Sequence, residues 1–191
     1  MMPELSTLTD EKLVEWIRNQ HLKDYKEIVI RYQDKLKRYI LYITKDENMS
    51  NDILQNTFIK TYQNLNGFDT KRKFSSWIYR IAHNEAMNLL VKNKKTISLT
   101  TEHIDLIETR DSTQVDVIFE KEEMVRVLNK LIDQIPIHYR EPLVLYYYED
   151  NSYEEISDIL HIPVNTVSSR INRAKKALYE LVAESKLLQN G

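Results

Sequence analysis

Glycine is almost absent from this chain: only two of its 191 residues are glycine, Gly67 and Gly191. Sheet-rich folds need many tight turns, and such turns depend on glycine and a few other residues that tolerate unusual backbone angles. The loops that cradle nucleotide phosphates also need several glycines close together, which one internal glycine cannot supply. The sequence therefore predicts an all-α protein without a G-x-G-x-x-G or Walker-type nucleotide site.

The sequence lacks the residues that several other classes of function require. The chain has no cysteine, hence no disulfide framework, Cys-ligated zinc or thiol nucleophile. Its five histidines are scattered, and it contains neither an H-E-x-x-H motif nor a nucleophile elbow. We therefore expect no enzyme, catalytic residue, metal site, cofactor or small-molecule substrate. The absence of an 18-residue apolar run and of a secretory signal predicts a cytoplasmic protein.

The net charge of −2 hides an uneven distribution of charge along the chain. Residues 1–95 hold 17 Lys and Arg against 12 Asp and Glu, whereas 96–191 hold 10 against 17. Basic residues concentrate in 71–95 and 164–179, and the second of these segments contains no acid. Two basic patches separated by an acidic stretch indicate two contacts with a polyanion such as nucleic acid, although solvated helix faces give the same pattern.

Apolar residues recur at steps of three and four along most of the chain, which is the period of an amphipathic helix. In the first half this pattern predicts four helices, over 9–20, 22–44, 50–65 and 75–94. In the second half it predicts helices from 116 to 135, 137–149, 152–160 and 164–184. The intervening stretch is Thr-rich, acidic and without a period. We predict a domain over 1–95, a flexible linker over 96–118 and a second domain over 119–191.

The strongest local pattern lies in residues 152–178. Ser152 and Glu155 form the S-x-x-E pattern of a capping box, and His161 stands in a tight turn that requires a positive φ. The next helix has an apolar stripe from Val167 to Leu181 and an opposite face of Ser, Asn, Arg and Lys. A short helix, a tight turn and a longer helix with a polar, basic outer face predict a DNA-binding helix-turn-helix.

Three segments together resemble the extracytoplasmic-function (ECF, group 4) sigma factors of bacterial RNA polymerase. They are DILQNTFIKTY (52–62), FSSWIYRIAHNEAMNLL (74–90) and the long segment from IPIHYREPL to NRAKKAL (135–178). The resemblance implies two small helical domains, a sigma-2 four-helix bundle over 1–95 and a sigma-4 helix-turn-helix domain over 119–191. It further implies that the chain binds the clamp coiled coil and the flap of core polymerase, and directs initiation at promoter DNA.

The resemblance assigns three groups of contact residues. Polymerase binding falls to Asp52, Leu54, Gln55, Asn56 and Ile59. We call residues 66–80 the −10 segment. The residues assigned to recognition of the −10 element lie within or beside it and are Asn66, Gly67, Phe68, Lys71, Arg72, Lys73, Trp77, Tyr79, Arg80 and Asn84. Recognition of the −35 element falls to Asn165, Thr166, Ser168, Ser169, Arg170, Asn172, Arg173 and Lys176.

Two assignments stay open on the sequence alone. Trp77 fits a core position as well as a DNA contact, whereas Phe74 fits the core better. The helix-turn-helix by itself also fits a transcriptional repressor or activator with an N-terminal helical effector domain. For a sigma factor, the resemblance implies control by an anti-sigma factor, which in this family is often anchored in the membrane.

Overall fold

A computed structural model describes the backbone of residues 4–19, 21–99 and 119–189, and the side chains of 4–19, 21–92 and 126–184. Within these ranges the regular structure is entirely helical. The α-helices are α1 (Asp10–Arg18), α2 (Tyr25–Thr44), α3 (Glu47–Asn64), α4 (Phe74–Leu99), α5 (Phe119–Gln134), α6 (Ile137–Tyr147), α7 (Tyr153–Leu160) and α8 (Val164–Gln189). The all-α prediction is confirmed. Most of the predicted linker, from residue 100 to 118, lies outside the described residues.

The first four helices pack around one apolar core. Leu36, Tyr39 and Ile40 of α2 are fully buried, and α4 contributes Phe74 and Ile78. Helix α3 instead presents Ser50, Thr57 and Thr61 to the interior. The hydroxyl groups of Thr57 and Thr61 donate to backbone carbonyls one turn earlier, at 2.7 Å in both cases. These bonds satisfy the polar groups of the inner face of α3, and its small side chains let the helix lie close to its neighbours.

Several predicted helix boundaries differ from those of the structure, and those at the start of α3 and the end of α4 have consequences for the site. Helix α3 begins at Glu47, not at residue 50, because the carboxylate of Asp46 accepts a hydrogen bond from the Met49 amide at 2.8 Å and caps the helix. Ser50, where the predicted helix began, is buried inside the first turns. Helix α4 continues to Leu99 and so takes in residues 96–99, which were predicted as linker.

The C-terminal domain confirms the helix-turn-helix. The side chain of Ser152 accepts from the Glu155 amide, and the Glu155 carboxylate accepts from the Ser152 amide, which completes the capping box. His161 adopts the left-handed conformation, with φ 53° and ψ 44°. Pro142 lies inside α6 and is buried among the apolar residues of that helix.

The two domains contact each other directly. Helix α7 packs on α4, and α6 packs on α2. Tyr39 of α2 donates to the Glu141 carboxylate of α6 at 2.6 Å, and the Nδ1 atom of His83 of α4 lies 2.6 Å from the same oxygen. The −10 segment therefore lies next to the first helix of the helix-turn-helix.

Candidate nucleic-acid and polymerase interfaces

Helix α8 exposes one continuous polar face. Val167, Ile171 and Ala174 are fully buried and fix the rotation of the helix, so that residues such as Asn172 and Arg173 face solvent. No predicted −35 residue is buried: Asn165, Ser169, Asn172, Arg173 and Lys176 are exposed, and Thr166, Ser168 and Arg170 are half-buried. The structure thus brings all eight residues to the surface of one helix, as base and phosphate contacts would require.

The side chain of Arg173 is held by a residue that sequence reasoning missed. Its Nη1 atom donates to the hydroxyl of Tyr139 at 3.1 Å, and its guanidinium carbon lies 5.9 Å from the centre of the same ring. Tyr139 belongs to α6 and lies 34 residues before Arg173, so no local pattern connects the two. The contact restricts the rotamers of Arg173, which lowers the entropic cost of presenting its planar donor group.

The aromatic residues of the −10 segment form a cluster. The ring of Phe68 lies 5.4 Å from that of Phe74 and 5.0 Å from that of Trp77. Phe68 is only 4% exposed, so the prediction that it lines single-stranded DNA is wrong. It is buried because its ring fills the space between the loop and the start of α4. Phe74 is fully buried, which confirms it as a core residue.

The backbone of this loop is pinned to α1. The guanidinium of Arg18 donates to the carbonyl of Leu65 at 2.8 Å and also bonds the carbonyl of Phe68. The Glu11 carboxylate accepts from the Phe74 amide at 3.0 Å, which ties down the first turn of α4. Among the predicted contact residues of the loop, Asn66, Gly67, Lys71, Arg72 and Lys73 remain exposed. The loop is therefore a fixed support for these side chains.

The position of Trp77 is compatible with both roles that the sequence left open. It is half-buried, one part of its ring contacts Phe68 and Phe74, and it also lines a surface cavity of about 640 Å³. The other lining residues are mostly polar: Lys60, Gln63, Asn64, Gly67, Ile81, Asn84, Glu85 and Asn88. A cavity that joins an indole ring to several side-chain amides offers stacking together with hydrogen-bond donors and acceptors. Of the predicted −10 residues, it brings together Gly67, Trp77 and Asn84.

Tyr79 is buried, whereas its prediction as a DNA contact required an exposed side chain. It is 3% exposed, its ring packs 5.1 Å from that of Tyr39, and its hydroxyl donates to the Glu149 carboxylate. Burial, followed by the charge of Glu149, raises the pKa of the Tyr79 phenol well above its usual range. The phenol therefore remains protonated and serves as a donor to a buried carboxylate.

The cations of the −10 segment pair with acids of the C-terminal domain. Both Arg72 and Arg80 bond the carboxylate of Asp158, at 2.9 Å and 3.4 Å. The ammonium group of Lys73 lies 3.6 Å from the Glu155 carboxylate. We call Glu149, Glu155 and Asp158 the acidic edge.

The sequence showed the acids of the acidic edge but not their partners. Glu155 also caps α7, as the S-x-x-E pattern predicted. The excess of bases in one half of the chain and of acids in the other was the available signal for contact between the halves. It names no pairs, because the partners are about 80 residues apart in the sequence.

The predicted polymerase-binding residues share one face of α3. Asp52, Gln55, Asn56 and Ile59 are exposed, and Leu54 is half-buried against the core. Ile53, Thr57 and Thr61 occupy the opposite, buried face. An exposed isoleucine among short polar side chains is suited to a protein interface with an apolar centre and a polar rim.

The part of the chain that the structure describes contains neither a cluster of metal ligands nor a helix that could span a membrane. Within it, His, Asp and Glu form no group of three or more that could hold a metal ion. No helix in the described ranges is long and apolar enough to cross a membrane.

Comparison with known families identifies the chain. Residues 28–96 match the model of sigma-70 region 2, and residues 126–178 match that of sigma-70 region 4. The chain is 31% identical over 176 residues to the RNA polymerase sigma-H factor of Pseudomonas aeruginosa, covering 88% of this chain and 91% of that protein. It is also 31% identical to the ECF sigma factor SigW of Bacillus subtilis, covering 88% and 94%. The chain belongs to the ECF RNA polymerase sigma factors of the sigma-70 family.

Solved structures show the same fold. The sigma factor RpoE of Bartonella quintana, determined with the anti-sigma factor NepR, aligns with a TM-score of 0.69 and 19% identity over 84% of this chain and 98% of that one. The protein CnrH, determined with the cytosolic domain of CnrY, aligns with a TM-score of 0.67 and 22% identity over 92% and 97%. At these identities the likeness concerns the fold alone.

Proposed function

We propose that this protein binds core RNA polymerase in the cytoplasm and directs promoter-specific initiation without catalysing a reaction itself. The observation that carries the proposal is the outer face of α8, where Ser169, Asn172 and Arg173 are exposed on the second helix of a helix-turn-helix. Division into two domains, the first ending with α4 at Leu99 and the second beginning with α5 at Phe119, belongs to the same proposal. The polymerase forms the phosphodiester bonds.

In this proposal α8 reads the −35 element. Arg173 is suited to bidentate bonding with guanine, and Asn172 to adenine, because their planar donor groups match the major-groove edges of these bases. Arg170 and Lys176 would contact phosphates, which position the helix without specifying a sequence. Their exposure on one face supports this assignment.

The cavity beside Trp77 would receive an unstacked base of the −10 element. A base removed from the duplex needs an aromatic surface for stacking and amides for its hydrogen-bonding edge. Trp77 supplies the ring, and Asn64 and Asn84 supply the amides. Lys71 is exposed on the adjoining loop, where it would meet the phosphates of the same strand.

An anti-sigma partner is part of the proposal. RpoE and CnrH, whose fold this chain shares, were determined in complex with NepR and with the cytosolic domain of CnrY, respectively. We extend such control to this chain and expect the partner to cover surfaces that polymerase or DNA would otherwise occupy. An anti-sigma factor held in the membrane fits the pattern that the family resemblance implies.

Association with core polymerase tests the proposal. The unmodified chain should form a stable complex with bacterial core polymerase on a gel-filtration column. Ile59→Asp, at the centre of the exposed α3 face, should abolish that complex, whereas Ile30→Asp, at an exposed isoleucine of α2, should leave it intact. Equal binding by the two variants would move the polymerase surface away from α3.

Transcription from a library of randomised promoters, followed by sequencing of the active templates, tests promoter recognition by the complex. Enrichment of two short elements at a constant spacing is expected. Failure to bind core at micromolar concentration, with tight and sequence-specific binding of duplex DNA by the isolated chain, would support a repressor or activator instead.

A further inference from the structure

Three of the cations that the −10 strand would contact, Arg72, Lys73 and Arg80, already pair with acids of the same chain. Asp158 accepts from both Arg72 and Arg80, and all three side chains retain some solvent exposure. Lys73 and Glu155 form a third, looser pair. Carboxylates here stand where phosphate oxygens would stand in a DNA complex, since the same guanidinium groups bind either anion with similar geometry.

A buried bridge between the domains supports these surface pairs. The side chain of Glu149 is 1% exposed, and its carboxylate accepts from Arg38 at 3.1 Å and from the hydroxyl of Tyr79. Both donors belong to the N-terminal domain, so the negative charge of Glu149 is compensated only while the domains are in contact. The acidic edge is thus matched to the N-terminal domain by charge and by hydrogen bonding.

We propose that the acidic edge is an interaction surface for the −10 segment of the same chain, and that it holds the free protein in a closed state unable to engage the −10 strand. The inference rests on the proposed function, because it takes Arg72, Lys73 and Arg80 as DNA contacts. DNA phosphates and the acidic edge then compete for the same cations. Helix α8 keeps its outer face exposed in the closed state.

The chemistry of this contact makes it reversible. Interfaces between domains of one chain resemble transient protein interfaces, and ion pairs at partly exposed positions are weak and screened by salt. Screening of the three surface pairs should therefore weaken the closed state as the ionic strength rises. Apolar packing inside each domain does not depend on salt in this way, so the domains should remain folded when they separate.

Energy transfer between two dyes on the free, full-length chain measures closure directly. The chain has no cysteine, so Lys26→Cys on α2 and Ala183→Cys on α8, both at exposed positions, provide the only labelling sites. We expect high transfer at 50 mM salt and a cooperative decrease towards 1 M, with unchanged helicity by circular dichroism. Low transfer at 50 mM, or transfer independent of salt, would overturn the proposal.

Two isosteric double variants separate the contact from general electrostatics. Glu155→Gln with Asp158→Asn removes the two surface partners, and glutamine preserves the capping box. Asp150→Asn with Glu154→Gln removes two exposed acids nearby that make no ion pair with the N-terminal domain among the described contacts. Both variants change the net charge equally, so general attraction to DNA changes equally.

Binding of a labelled single-stranded oligothymidine at 100 mM salt provides the second readout. The Glu155→Gln, Asp158→Asn variant should bind about tenfold more tightly than the control variant, as expected for the loss of three competing ion pairs. It should also open at lower salt in the energy-transfer measurement. Equal affinity and equal transfer in the two variants would refute self-masking.

Failure of this inference is distinguishable from failure of the proposed function. Closure is measured on the free chain without polymerase or promoter, whereas sigma activity is measured by association with core polymerase. A chain that is open at low salt yet binds core refutes only the closed state. A chain that closes but never binds core refutes only the proposed function.

Discussion

The −10 segment and the outer face of α8 are both basic, yet their cations have different partners in the structure. Arg72, Lys73 and Arg80 are paired with acids from the other domain. On α8, Lys176 is paired with Glu180 of its own helix, at 4.0 Å and with both side chains largely exposed. A run of positive charge therefore indicates a surface for polyanions, but only the tertiary structure shows whether that surface is available.

The largest expected effect concerns the aromatic support of the −10 segment. Phe74→Ala removes a fully buried ring that contacts Phe68, Trp77 and Tyr32, and it should lower the free energy of unfolding by about 3–5 kcal/mol. Urea denaturation measures this change. Val91→Ala, at an exposed position of the same helix, should change stability by less than about 0.5 kcal/mol. Similar effects in both variants would refute the cluster as the support of the loop.

The second prediction tests the exposed surface on α8. Arg173→Ala should cost about 1–3 kcal/mol in binding of the holoenzyme to its selected promoter and should relax the preference at one base pair of the −35 element. Lys176→Ala should weaken binding evenly across sequences and reduce its salt dependence. Competition binding with single-base variants of the −35 element distinguishes the two results. An unchanged base preference in Arg173→Ala would assign the readout to another residue.

Alkaline pH should lower the stability of the protein, because a buried tyrosine, Tyr79, lies in the interface between the domains. The pKa of Tyr79 is raised in the folded protein above its ordinary value of 10, chiefly by burial. Above pH 10 the unfolded chain releases this proton and the folded chain retains it. Stability conferred by Tyr79 is thus complete below pH 10 and falls by about 1.4 kcal/mol per pH unit as the pH rises towards the folded value.

Tyr79→Phe isolates this contribution from that of the other tyrosines. Its free energy of unfolding, measured by urea denaturation between pH 10 and 11, should fall less steeply than that of the unmodified chain. Tyr179→Phe, at a 73% exposed position on α8, should keep the full slope. Identical slopes in all three proteins would contradict the raised pKa of Tyr79.

The smallest expected effect concerns Tyr139. Tyr139→Phe removes the hydroxyl that accepts from Arg173 but keeps the ring beneath the guanidinium. Promoter affinity should fall by about 0.5–1.5 kcal/mol, the usual net value of one hydrogen bond. In the Arg173→Ala background the same substitution should have no effect on affinity. An equal loss in both backgrounds would mean that Tyr139 does not act through Arg173.

Local features of the structure could be predicted from the sequence. The capping box of Ser152 and Glu155 and the left-handed His161 were predicted correctly, because each depends on residues within one or two helical turns. The same holds for the buried face of α8. The helical period set by Val167, Ile171 and Ala174 fixes which residues point outward, without reference to other elements.

Features that depend on distant residues could not be predicted. Tyr79 follows Ile78 on α4, so burial of both side chains requires contacts on two sides of the helix. The other domain supplies part of these contacts through Glu149. Phe68 lies in a loop, where no period reports burial, and its position depends on Phe74 and Trp77 together. The pairing of Asp158 with Arg72 joins residues 86 apart, which charge counts along the chain cannot identify.

The most direct test of this account follows the distance between the domains as the protein engages its partners. The chain labelled at Lys26→Cys and Ala183→Cys is titrated with core polymerase and then with a selected promoter, and energy transfer is recorded at 100 mM salt. The account predicts high transfer in the free chain and a stepwise loss as polymerase and promoter separate the acidic edge from the −10 segment. Transfer that stays the same from free chain to promoter complex would contradict it.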